Sequence, residues 1–170
     1  ALTYEQKYNA LRIYQIVTST AGETFPDDSE GNANESVGES MGDGSFQALL
    51  AEAQKYIGMP YVWGGSNPSE GFDCSGYVCW VYSHAGVYPL SRTSAQGIYN
   101  QCEVISREEM QPGDLVFFSG TYATTNTVSH VGIYVGGNQM LHCGDPIGYA
   151  NINSSYWTQH FYAVGRLNTQ

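Results

Sequence analysis

The sequence predicts an α+β fold in which helices precede a mainly antiparallel sheet. Two segments with apolar residues at helical spacing come first, and four short segments rich in β-branched and aromatic residues follow them. Helices grouped before strands are typical of α+β folds, whereas alternating elements would indicate a parallel sheet. A chain of 170 residues with 42% hydrophobic residues can bury one sizeable core.

Composition divides the chain into three parts. Residues 1–21 form a predicted N-terminal helical segment, because apolar residues recur at near-helical spacing there. Residues 22–44 hold seven acidic residues and no basic ones among many Gly, Ser and Asn. This composition predicts an acidic linker or arm or, equally, a loop packed on the domain surface. Residues 45–170 form the predicted main domain.

The elements of the main domain follow from local patterns. One apolar face predicts a helix over residues 45–57, which nearby Gly and Pro end. Residues 61–71 are rich in Gly, Asn, Pro and Ser and predict a loop. An apolar stripe predicts a second helix over residues 74–85, with Asp73 as its N-cap and Cys74 in its first turn. The remaining predicted elements are a short helix at 93–100 and strands at 114–118, 130–135, 139–143 and 161–166.

Charge and hydropathy exclude several partners. Sixteen acidic against six basic residues give a net charge of −10, which would repel nucleic acid phosphates and anionic lipids. No apolar run approaches bilayer thickness, so we expect a soluble protein that binds neither nucleic acid nor membrane. The N-terminus shows neither a basic stretch nor an apolar signal core, which predicts a cytoplasmic protein or the mature form of an exported one.

Position distinguishes one cysteine from the others. The chain holds Cys74, Cys79, Cys102 and Cys143. They are too sparse to imply a disulfide framework, although an exported protein could form one or two bridges. A helix N-terminus lowers the pKa of a thiol and offers free N–H groups that can stabilise an oxyanion. Cys74 is therefore a candidate nucleophile, with Ser75 and Gly76 leaving room for a substrate, whereas Cys79 one turn deeper fits a structural role.

Two histidines lie on strands that are predicted to form a hairpin. Alternation places His130 and Gly132 on one face of the first strand, and His142 lies on the second. A two-residue Gly-Gly turn would put the histidines on opposite faces and prevent a catalytic pair. A three-residue turn or a bulge places His142 opposite Gly132 and on the face of His130. We predict this second register.

In that register the residues suit nucleophilic catalysis. His130 can accept the Cys74 proton and later protonate a leaving amine, while His142 hydrogen-bonds its other nitrogen and fixes the tautomer. Core packing would explain either histidine taken by itself, but three coordinated features favour a nucleophile, a base and an orienting residue. Three further residues are interpreted as structural or exposed: His84, His160 and, in the core, Trp63.

The same residue types allow a metal site as an alternative. Cys74, His130, His142 and Cys143 have the chemistry of zinc ligands. The paired short spacings typical of zinc sites are absent, and His142 and Cys143 should point to opposite faces of one strand. We therefore predict no metal and no other cofactor.

Six motifs in a fixed order resemble those of the NlpC/P60 cell-wall peptidases, over about Leu49 to Leu167. They are Tyr61-Val62-Trp63-Gly64-Gly65, Asp73-Cys74-Ser75-Gly76, Arg92-Thr93-Ser94-Ala95-Gln96, Pro112-Gly113-Asp114-Leu115, Ser129-His130-Val131-Gly132-Ile133-Tyr134 and His142. The resemblance implies a papain-like fold, with N-terminal helices packed on a central antiparallel sheet, and makes residues 45–170 the catalytic domain. Cys74, His130 and His142 match the family's catalytic positions.

The resemblance also implies roles for residues around the thiol. Tyr61 resembles the residue whose hydroxyl helps line the oxyanion site. Asp73 and Ser75 resemble substrate contacts, and Arg92 and Ser94 match further ones. A simpler role is open for two of them, because Asp73 could serve only as a helix cap and Arg92 only as a brace for its loop.

The activity implied by the resemblance is hydrolysis of peptidoglycan stem peptides at the γ-D-glutamyl–diamino acid bond, through a thioester acyl-enzyme. It further implies a monomer acting outside the cell at the bacterial wall. Three alternatives are an amidase that cuts the muramoyl–L-alanine bond, a non-catalytic wall-binding module, and a cysteine acyltransferase. The last is disfavoured, because the chain has no basic amphipathic segment to reach a membrane. No SH3-like wall-binding domain is recognisable.

Overall fold

The computed structural model describes residues 25–26 and 44–168. The predicted helix within residues 1–21, and most of the acidic segment at residues 22–44, lie outside the described residues.

The helices lie close to their predicted positions, with one addition. The described part contains α1 (Ser45–Gln54), α2 (Cys74–His84), α3 (Ala95–Tyr99) and α4 (Ser155–His160), with a 3₁₀ turn at Arg107–Glu109. α1 is shorter than the predicted helix, because Lys55, Tyr56 and Ile57 donate to carbonyls three residues back and so tighten its end into a turn. α4 was not predicted.

The strands form the antiparallel sheet that the sequence predicts. They are β1 (Ser66–Asn67), β2 (Gly71–Phe72), β3 (Glu103–Ile105), β4 (Leu115–Phe118), β5 (His130–Gly136), β6 (Gln139–Cys143), β7 (Ile147–Asn151) and β8 (Phe161–Arg166). Six of them form one sheet in the order β3-β8-β4-β5-β6-β7, with every neighbouring pair antiparallel. β1 and β2 form a small ladder inside the segment predicted as a loop. β3 and β7 were also not predicted.

The two faces of the sheet bury different apolar groups. Val131, Ile133 and Leu141 belong to the larger cluster, which also contains the buried residues of α1 and α2. Phe118 and Met140 lie on the opposite face and pack with Trp157 of α4. Alternation along β5 and β6 puts His130 and His142 on this second face.

Hydrogen bonds fix α2 against α1. The Tyr56 hydroxyl donates to Glu52 at 2.5 Å and accepts from the Trp80 indole at 2.8 Å, while the Tyr77 hydroxyl donates to the carbonyl of Ala53 at 2.7 Å. Burial alone would raise the pKa of Glu52, but hydrogen bonds from Lys55 and Tyr56 bring it below its ordinary value. These contacts hold the first two turns of α2 in place.

None of the helices described at residues 44–168 combines the length and the apolar character needed to cross a membrane.

Candidate active site

Cys74 lies at the first position of α2, as predicted. The Asp73 carboxylate caps this helix by accepting a hydrogen bond from the Gly76 N–H at 2.7 Å. The thiol is 5% exposed, and its Sγ lies 3.7 Å from the carbonyl oxygen of Ser129. The sulfur is therefore at the beginning of β5, beside the residue that precedes His130.

The loop that carries Tyr61 packs directly on the start of α2. The Asp73 N–H donates to the Gly65 carbonyl at 3.0 Å, and the Gly64 N–H donates to the Asp73 carboxylate at 3.2 Å. A Cβ at Gly76 would clash with the Gly65 carbonyl. The expectation that Gly76 leaves room for a substrate was wrong, because the chain's own backbone occupies that space.

The hairpin adopts the predicted register, by way of a bulge. Ile133 pairs with Leu141 and Tyr134 with Met140, which brings His142 opposite Gly132. The pairing then shifts before Gly136, so β5 carries one extra residue next to the turn. A side chain at Gly132 would meet the Cβ of His142 at 3.2 Å, which confirms that the two residues share a face.

A hydrogen bond joins the two imidazoles. The Nε2 atom of His130 lies 2.9 Å from the Nδ1 atom of His142. The exposed fractions are 0% for His130 and 1% for His142. The Trp157 ring stacks on His130 at 5.0 Å and meets His142 edge-on at 5.2 Å. The pair is thus held in one orientation within an aromatic environment that excludes water.

Tyr61 lines the same cleft as Cys74. It is 5% exposed, and its backbone N–H donates to the Asp145 carboxylate at 3.2 Å. Tyr61 also forms an isolated bridge with Phe72, just before the helix that carries Cys74. Contacts with Asp145 and with Phe72 therefore fix the backbone at Tyr61.

A cleft of about 230 Å³ opens onto the thiol. Six of the eight predicted site residues line it: Tyr61, Asp73, Cys74, Ser75, Arg92 and Ser94. The lining also includes Trp63, Tyr122 and Ser129, but neither His130 nor His142. The predicted substrate contacts and the predicted nucleophile therefore share one cleft, which does not include the imidazoles.

A charged cluster forms one wall of the cleft. The Arg92 guanidinium pairs with the Asp73 carboxylate at 2.8 Å and donates to the Ser75 hydroxyl and the Thr93 carbonyl, each at 2.8 Å. Both simpler roles are therefore present, since Asp73 caps a helix and Arg92 braces its loop. Ser94 caps α3 by accepting from the Gly97 N–H at 3.1 Å.

Sequence reasoning missed several residues at the site. Trp63, which we expected in the core, is 46% exposed and meets Tyr122 edge-to-face at 5.0 Å on the cleft. Asp145 follows a strand with no pattern to mark it. Phe25 packs on Tyr61 and both histidines. A signal for Phe25 existed, because it is the one aromatic residue in the acidic segment at residues 22–44.

All four cysteines lie in the described part of the chain as thiols. Burial raises the pKa of Cys79, and burial with a further effect from Asp114 raises the pKa of Cys102 to about 12. The Cys143 thiol donates to the Phe72 carbonyl at 3.2 Å. Across residues 25–26 and 44–168, no group of three or more His, Cys, Asp and Glu side chains has the arrangement of a metal site.

Residues 58–166 match the NlpC/P60 family. Two curated relatives are from Bacillus subtilis (strain 168). The bifunctional muramidase/DL-endopeptidase CwlT is 46% identical over 123 residues, covering 72% of this chain and 36% of the relative. The gamma-DL-glutamyl hydrolase is 40% identical over 123 residues, covering 71% of this chain and 29% of the relative. The chain thus spans about a third of the length of these relatives.

A solved structure with this fold comes from Staphylococcus aureus subsp. aureus Mu50, a protein described as similar to a lipoprotein of the NLP/P60 family. It superposes with a TM-score of 0.72 at 37% identity, and the match covers 96% of this chain and 49% of that one.

Proposed function

This chain belongs to the NlpC/P60 family, and from that membership and its site we propose that it is a cysteine peptidase of bacterial peptidoglycan. In this proposal, residues 1–21 are an N-terminal helical segment, residues 22–44 an acidic linker or arm, and residues 45–170 the catalytic domain. The single observation that carries it is the hydrogen bond between His130 and His142. His130 directly follows Ser129, whose carbonyl oxygen contacts the Cys74 sulfur.

Cys74 is the proposed nucleophile, and His130 is the proposed base. The start of α2 favours a thiolate through the partial positive charge of its N-terminus. His142 engages the Nε2 atom of His130, and we propose that the Nδ1 atom takes the thiol proton and returns it to the leaving amine. His142 fixes the tautomer of His130 and stabilises its charged form, which makes it a positioning residue.

The negative oxygen of the tetrahedral intermediate needs fixed donors. Backbone N–H groups in the first turn of α2 provide them beside the sulfur. Tyr61 lines the same cleft, and we propose its hydroxyl as a further donor. The Asp145 carboxylate accepts a hydrogen bond from the Tyr61 N–H, so Asp145 acts by positioning Tyr61.

The substrate class follows from the charge of the cleft and from the names of the relatives. Asp73 and Arg92 offer opposite charges, with Ser75 and Ser94 beside them, which suits a peptide carrying both a free amine and a carboxylate. Two relatives are named for DL-endopeptidase and gamma-DL-glutamyl hydrolase activity. We therefore propose cleavage after γ-D-glutamate in stem peptides, by a monomer acting outside the cell at the wall.

Digestion of purified peptidoglycan, followed by mass spectrometry of the products, tests this proposal. The expected products carry a new free amine on the diamino acid and a stem fragment that ends in D-glutamate. Free L-alanine amines with intact stems would contradict the endopeptidase and support an amidase. Binding to the wall without any products would favour a non-catalytic module.

A further inference from the structure

The acidic segment places an aromatic side chain against the proposed catalytic residues. We propose that Phe25 occupies the leaving-group side of the site, so that the departing part of a substrate must displace it. This inference rests on the proposed peptidase function, because that function defines which side of the thiol the leaving amine takes.

Phe25 meets three members of the site at once. Its ring centroid lies 5.2 Å from that of Tyr61, 5.4 Å from that of His130 and 6.2 Å from that of His142. The contacts with both imidazoles are edge-on, at 61° and 76°. These are the distances and angles of favourable aromatic pairs.

The position of Phe25 indicates that it fills the leaving-group side of the site. The open cleft lies on the Asp73 and Arg92 side of Cys74, and Phe25 does not line it. Trp157 stacks on His130, Phe118 lies tilted with its ring centroid 6.0 Å away, and Phe25 packs edge-on against the same ring. A leaving amine takes its proton from His130 and must approach that ring. With no exposed surface left on His130, an approach requires one of its covering groups to move.

Of these aromatic groups, Phe25 is the one that can leave. Trp157 of α4 and Phe118 of β4 are fully buried, whereas Phe25 is only partly buried. In the sequence, Pro26 and many acidic and small polar residues follow it, a composition that offers few other apolar side chains for burial. One half-buried phenyl ring favours the occupied state over the open one by about fivefold, which a substrate can reverse.

The surface left by the ring indicates what would replace it. Tyr61 and the two histidines present aromatic faces and edges toward the phenyl ring. The methylene chain of a diamino acid can pack there as the phenyl ring does, with its distal polar end directed to solvent.

The test compares Phe25→Ala with Val37→Ala, which removes apolar atoms from the same acidic segment. Cys74 is alkylated with two reagents, and peptide mapping measures the rate of each. Iodoacetamide reports the reactivity of the thiolate, and N-phenylmaleimide also needs space for a ring. In Phe25→Ala, we expect the maleimide-to-iodoacetamide rate ratio to rise about fivefold and KM for a stem peptide to fall by a similar factor. Val37→Ala should resemble the unmodified protein.

An unchanged rate ratio in Phe25→Ala would overturn the inference. A higher KM in Phe25→Ala would also overturn it, because it would show that the ring helps to bind the substrate. The two proposals fail separately. Hydrolysis by the unmodified protein with an unchanged ratio removes the role of Phe25 alone. A raised ratio with no hydrolysis by any variant supports the occupied site and contradicts the peptidase.

Discussion

Cys74 and Cys79 are almost equally shielded from solvent, with exposed fractions of 5% and 4%, yet they differ in surroundings. Cys74 begins a helix beside the cleft. Cys79 lies one turn further along, with its pKa raised by burial. We therefore expect these two thiols, although similarly shielded, to differ in reactivity because only Cys74 lies at the start of the helix.

This difference predicts selective alkylation. Iodoacetamide at neutral pH should label Cys74 first, because raised pKa values keep Cys79 and Cys102 protonated, the latter with a pKa of about 12. Peptide mapping over a time course measures each rate. Cys102 is the more informative comparison, since it is more exposed than Cys74. Labelling of Cys102 as fast as that of Cys74 would contradict the assignment.

His142 should act through His130 and not on the substrate. We expect His142→Ala to lower kcat/KM by about 10²–10³-fold, and His142→Asn, which can still hydrogen-bond the ring, to lose only about tenfold. Kinetics across a pH series check this, because a lost partner should shift the pH profile as well as the rate. Equal losses in both variants with an unchanged profile would indicate a purely structural residue.

Single residues also show where sequence reasoning has limits. The position of Cys74 followed from local rules, since Asp73 is a strong N-cap next to an apolar stripe. The exposure of Trp63 did not, because it depends on Tyr122, which is distant in sequence. Phe25 was missed for a similar reason, since composition describes a segment and not the one residue that anchors it.

Among the elements, the junction between α2 and the Tyr61 loop is the most constrained. We expect Gly76→Ala to lower kcat/KM by about 10²-fold or more, because its Cβ would push the Gly65 carbonyl and the oxyanion donors out of position. Gly148→Ala is the matched control, since its Cβ would meet only the Pro146 carbonyl at 3.9 Å. Kinetics on both variants, with thermal unfolding to verify folding, measure the effect. Full activity in Gly76→Ala would show that this contact does not position the site.

The predicted elements were those with enough length or alternation to carry a pattern. α2 was predicted from an apolar stripe. The hairpin was predicted from alternation along its strands, and the bulge near Gly136 sets the register that places both histidines on one face. β7 and α4 were missed. Each is five or six residues long, and a single buried Trp157 cannot define a helical period.

For the domain as a whole, a partly buried ion pair joins β8 to the residue just before β4. Arg166 on β8 holds Asp114 through two contacts, at 2.7 and 2.8 Å, and the Asp114 side chain is 0% exposed. We expect Arg166→Met to lower the free energy of unfolding by about 2–3 kcal/mol, because it leaves the buried carboxylate with the Gln111 N–H but without its cationic partner. Urea denaturation measures this change.

Lys55→Met is the control for that measurement. It also breaks an ion pair, with Glu52 at 2.6 Å, but the Lys55 side chain is 62% exposed. Its effect on the free energy of unfolding should stay within about 0.5 kcal/mol. Similar losses in the two variants would show that burial of Asp114 does not determine the effect.

The central claim is that the Cys74 sulfur attacks the scissile carbonyl. The most direct measurement is the rate of stem-peptide hydrolysis by Cys74→Ala, with its folding verified by thermal unfolding. We predict a loss of at least about 10⁴-fold in kcat/KM for a folded protein. Hydrolysis by folded Cys74→Ala within tenfold of the unmodified rate would contradict nucleophilic catalysis by this thiol.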